Sequence, residues 1–112
     1  MTDFDNGIPP ILQEQYNNSI PEKLAMLQNL LNNIYKQGNE EALKDFKFQI
    51  HKMAGSAGLY GYMPVSLLCK ELEQILIVDI QNFNTLGVAK IEQSWIIKYE
   101  DYLKKIKTEF KK

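Results

Sequence analysis

Apolar residues recur along the chain at intervals of three and four, and no segment alternates with a period of two; this is the signature of amphipathic helices, not strands. Leu12, Tyr16 and Ile20 lie four apart, which predicts a short first helix over Ile8 to Asn18. The next four residues, Ser19 to Glu22, read as a capping box: Ser19 as N-cap, Glu22 at the third position, Pro21 inside the first turn where its missing N–H does little harm. This box opens either a new helix or a kinked continuation of the first, and the pattern allows both. Ile20, Leu24, Leu27, Leu31 and Ile34 then carry a continuous apolar stripe. Gly38 suits a C-terminal cap and Asn39 an N-cap, with Glu40 and Glu41 set against the positive end of the following helix.

That following helix runs from about Asn39 into a glycine-rich segment. Pro64 is placed to start another, with Val65, Leu68, Leu72, Ile75 and Leu76 on one face. Asp79 to Thr85 carries weak signals and reads as a loop. The last helix is predicted over Leu86 to Phe110, because Val88, Ile91, Trp95, Tyr99, Tyr102, Ile106 and Phe110 alternate steps of three and four. With no repeats or internal linkers, the expectation is one all-α domain over residues 1–112: an antiparallel four-helix bundle with a short extra N-terminal helix.

Composition narrows the setting. A formal net charge of −1 leaves no basic excess for a nucleic-acid surface. A single cysteine, Cys69, excludes an internal disulfide and fits a reducing compartment. The acidic, polar residues after Met1 have the wrong chemistry for a signal peptide, and no apolar run approaches the ~18 residues of a membrane span. A cytoplasmic monomer without membrane contact is expected.

The candidate chemistry centres on His51, the only histidine, followed by Gly55, Gly58 and Gly61. Each glycine inside a helix costs roughly 1 kcal/mol relative to alanine, so their clustering calls for a reason. Unrolled at about 100° per residue, Ala42, Leu43, Phe46, Ile50, Met53, Ala54 and Ala57 form one arc centred roughly 110° from His51. His51 therefore lies on the flank of the core face. Lys44 and Lys47 precede it on its own line, and Gly55 and Gly58 follow. Helical side chains lean towards the N-terminus, so a side chain at 55 would cover residue 51, and a glycine there leaves the imidazole open to a bulky partner. The competing reading is a helix that frays into a glycine-rich turn beside an ordinary surface histidine. One His and one Cys supply neither a zinc site nor a Ser–His–Asp arrangement. Cys69, Trp95, Tyr99 and Tyr102 sit at core spacing and read as packing residues. Ile11, Leu12 and Tyr16 would offer apolar surface to a partner's helix if the first helix lies beside the histidine.

The stretch HKMAGSAGLYG at 51–61, continued by YMPVSLLCKELE, resembles the signature of histidine-containing phosphotransfer (HPt) domains. The matching positions are His51, Met53, Ala54, Gly55, Ser56, Tyr60–Gly61, Cys69 and Leu72–Glu73. The resemblance implies a four-helix bundle in which His51 accepts a phosphoryl group from a receiver-domain aspartate or a histidine kinase and passes it to another receiver. Such a protein is a stoichiometric carrier, not an enzyme, and needs no cofactor of its own, the magnesium and aspartate being the partner's. Where many members place a lysine three residues after the histidine, this chain has Ala54. Lys47 is then the best local cation, with Lys44 and Lys52 less well placed. Glu73 resembles the acidic or amide residue that some members use to hold the inner ring nitrogen. Lys47 and Glu73 read equally well as solvated surface charges. The partner's footprint is expected over Leu12, Lys44, Lys52, Ala54, Gly55 and Gly58. Ala54 also sustains an alternative, an HPt-like docking module that binds a receiver or kinase through the His51 face without being phosphorylated. A hydrolase using His51 as general base lacks any nucleophile pair.

Overall fold

Pro9 and Pro10 open the first helix, their fixed φ suiting a helix start where no N–H is needed. The computed structural model describes residues 7–86 and 91–112, and of Leu86 only the backbone. Helix α1 spans Pro10–Gln37, α2 Glu40–Leu59, α3 Met63–Leu86 and α4 Gln93–Lys111. The expected four-helix bundle is present, with α1 packed on α2 and α4, and α3 on α2 and α4.

The separate N-terminal helix is not. Its residues are the first turns of α1, which runs unbroken through Pro21. The capping box does not form: the Ser19 hydroxyl donates back to the Tyr16 carbonyl at 2.7 Å, the backward bonding available to a mid-helix serine. The apolar face continues through the proline, burying Tyr16 ahead of it and Leu27, Leu31 and Ile34 beyond. Burying each such side chain is worth about 1.5–3 kcal/mol, enough together to outweigh the ~3 kcal/mol of an interior proline.

The α1–α2 junction follows expectation. Gly38 adopts φ 59° and its N–H bonds the Ile34 carbonyl, while the Asn39 side chain accepts from the Ala42 N–H at 2.9 Å. The expected loop at 79–85 is instead the end of α3. Asp79 is buried and Ile80 joins the core, and Asn84 donates to Glu40 at 2.8 Å. Asp79 and Asn84, which look like loop signals, have partners on other helices. The last helix starts at Gln93, later than the pattern predicts; Ile91 is buried ahead of it, and the expected contribution of Val88 falls outside the described residues. Tyr99, Leu103 and Ile106 fill the α4 side of the core, with Trp95 and Tyr102 packed at its edge.

Candidate functional site

Helix α2 runs straight through Gly55 and Gly58, so the frayed-turn reading of this segment does not hold. It ends in a Schellman arrangement, with Tyr62 N–H to Ala57 O at 2.7 Å and Gly61 N–H to Gly58 O at 3.3 Å. Gly61, at φ 89°, supplies the left-handed residue this requires. The three glycines have three different surroundings. A Cβ at Gly55 would meet nothing within 4 Å, whereas one at Gly58 would lie 3.1 Å from Ser66 Oγ. Gly55 opens the surface next to His51, and Gly58 admits helix α3.

His51 stands out from this surface with its side chain 67% exposed, and its Nδ1 lies 2.8 Å from Oε2 of Glu73, itself 17% exposed. An ionised carboxylate only accepts, so Nδ1 is the donor of this bond, and in the neutral ring Nε2 is then the nitrogen with the lone pair. Nε2 makes no hydrogen bond to any described residue. One ring nitrogen is held on α3 and the other is left open on an accessible helix flank.

A family model of the Hpt domain matches residues 12–107. The chain belongs to the Hpt domain family. No curated relative and no solved structure matches it at a significant level. Family membership ties the chain to histidine phosphotransfer in two-component signalling, with histidine kinases or receiver domains as partners. None of the helices described is long and apolar enough to cross a membrane.

The cations of this Hpt domain are not equivalent. Lys44 is turned back to Glu40 at 2.9 Å, and this bond, with that from Asn84, holds the Glu40 carboxyl below its ordinary range. Lys52 lies over the Phe48 ring, its Nζ 5.4 Å from the centroid. Lys47 makes no ion pair with a described residue and borders a shallow groove floored by Phe48, Ile77 and Ile80. Of the three, it alone has a head paired with no other side chain among the described residues.

Two expected footprint positions need correction. Ala54 is 4% exposed and its carbonyl accepts from Ser66 Oγ at 2.7 Å, so it turns towards α3 and shows a partner no side chain. Gly58 likewise faces Ser66. Tyr16, expected among the exposed apolar residues, is buried: it stacks on Tyr60 at 4.3 Å between centroids, its hydroxyl 3.0 Å from Ser56 Oγ. Burial pushes its phenol pKa up. Ile11 and Leu12, with exposures of 60% and 41%, remain at the surface. Sequence reasoning overlooked Phe48 and Leu59, exposed at 57% and 56%. Their spacing from His51 by three and eight residues, on its side of the helix, was the available signal.

Proposed function

We propose that this domain is a phosphocarrier in which His51 Nε2 accepts a phosphoryl group from a receiver-domain aspartyl phosphate, or from a histidine kinase, and returns it to a receiver aspartate. The observation that carries the reading is the Glu73–His51 Nδ1 bond. In the accepting step Nε2 attacks phosphorus, the Nε2–P bond forms and the P–O bond to the aspartyl carboxyl breaks, its electron pair leaving on the carboxylate. The ring keeps its Nδ1 proton and becomes cationic, and Glu73 stabilises that charge. Onward transfer is the reverse, so no proton need enter or leave the ring. The divalent cation and the aspartate are the partner's. The docking face is the exposed strip of α2, with Phe48 and Leu59 as apolar contacts, His51 and Gly55 between them, and Leu12 of α1 near the far end. Lys47 supplies a nearby positive charge. A cytoplasmic setting fits this role.

Incubating the domain with phosphorylated receivers, and separately with phosphoramidate as a small donor, tests the reading. An acid-labile, base-stable label on wild type and none on His51→Gln is expected. Burial of Ala54, in place of a lysine, favours the alternative of a docking module that is not phosphorylated; receiver binding without any label would establish that alternative.

A further inference from the structure

The His51–Glu73 bond joins two different helices, so something must set the spacing of those helices at that level. A pair placed to do so lies one heptad along the same seam: Gly58 is seven residues after His51, and Ser66 seven before Glu73. In antiparallel helices those offsets place the two pairs on one line, about 10 Å apart at 1.5 Å per residue.

Contact at the Gly58–Ser66 level is tight and specific. Ser66 is 2% exposed and its hydroxyl donates to the Ala54 carbonyl at 2.7 Å. The same oxygen lies 3.1 Å, and Ser66 Cβ 3.5 Å, from where a Cβ on Gly58 would stand. The hydroxyl thus tethers α3 to α2 from one side, and the missing side chain of Gly58 lets it come that close. We propose that Gly58 and Ser66 are positioning residues that hold α2 and α3 at the separation Glu73 needs to reach His51. This rests on the phosphocarrier reading only for its consequence, which is that the pair keeps Nε2 of the ring in its nucleophilic form.

The imidazole tautomer reports the arrangement directly. At a pH above the ordinary histidine range, ¹⁵N NMR of the wild-type domain is expected to show the proton mainly on Nδ1. Gly58→Ala places a methyl against Ser66 Oγ, and a shift of a few tenths of an ångström between helices weakens the bond. The Nδ1–H to Nε2–H ratio is then expected to fall several-fold, approaching that of Glu73→Ala, with helix content by circular dichroism unchanged. Gly58→Ala combined with Ser66→Ala removes the crowding oxygen, and its ratio is expected to return towards wild type, level with that of Ser66→Ala alone. A merely structural pair would lower the melting temperature without moving the ratio. Should Gly58→Ala fail to fold, Ser66→Ala decides by itself, since it removes only the tethering oxygen and is expected to lower the ratio partially. Wild-type ratios in every folded variant, with the Glu73→Ala ratio changed, would overturn the proposal. Phosphoramidate labelling is read separately: an unlabelled wild type counts against the phosphocarrier and leaves the tautomer result standing.

Discussion

Tyr99 donates its hydroxyl to Asp79 at 2.6 Å inside the bundle, and Lys98 Nζ reaches the same carboxylate oxygen at 3.3 Å. This bond joins α4 to α3 at Asp79, the one acidic or basic side chain that is buried among the described residues. Burial, then the neighbouring carboxylate, pushes the Tyr99 pKa far up, which keeps the phenol a donor. Tyr99→Phe leaves Asp79 with Lys98 alone, and losing one partner of a buried polar pair costs about 1–3 kcal/mol. A fall of several degrees in melting temperature is expected. Asp79→Leu combined with Tyr99→Phe removes both members together and is expected to recover much of that loss; a double variant as unstable as the sum of the singles would contradict this account.

Glu73 offers a graded test of the site. Glu73→Gln keeps an oxygen for the Nδ1 proton but gives no countercharge to the phosphorylated ring, whereas Glu73→Ala gives neither. Phosphoryl acceptance from phosphoramidate is expected to fall in the order wild type, Gln, Ala. The steps should be a few-fold to about tenfold, since a hydrogen bond to a charged group is worth roughly 1.5–3 kcal/mol when buried and less on so exposed a ring. Equal rates in all three would remove Glu73 from the mechanism.

At Gly55 the helix gives up stability with no neighbour that requires it. Gly55→Gln is expected to raise stability by up to about 1 kcal/mol through helix propensity. The added side chain would lie over His51, so transfer from a phosphorylated receiver should slow at least tenfold while labelling by phosphoramidate changes little. Loss of both reactions together would point to damage at the ring instead of a blocked approach.

Cys69 supplies a pH-dependent test of the interior. Burial, and secondarily the Glu73 carboxylate, pushes its thiol pKa up to about 12 from 9.0. A raised folded-state value favours the neutral thiol, so its contribution to stability is complete below the unfolded value near 9 and is lost as pH rises towards 12. Comparing wild type with Cys69→Ala isolates this loss from that of the lysines and tyrosines, and the gap between their stabilities should narrow over that interval. Below it, a disulfide reagent is expected to label Cys69 only after unfolding. Rapid labelling of the native domain at pH 8 would show that the helices part there far more readily than their packing implies.

Helical class, the glycine and asparagine at the α1–α2 junction, the flank position of His51 and the openness left by Gly55 were all legible in the chain. Each depends on residues within a few turns of one another, where helix period, caps and side-chain direction are set locally. The same local logic started α4 too early and saw a capping box at Ser19. Local signals at Ser19 are polar and proline-bearing, and burial of an apolar face along α1 outweighs them.

What only the tertiary structure decided lies between helices. Asp79 and Asn84 look like loop residues until Tyr99, Lys98 and Glu40 are brought to them. Glu73 could equally have been a surface carboxylate until α2 and α3 set it against the His51 ring. Gly55 and Gly58 are indistinguishable as letters on one line of a helix, yet one faces open space and the other a serine hydroxyl. Period and propensity establish which face a residue occupies. The spacing and register of the partner helix, which arise from packing summed over the whole bundle, establish what that face meets.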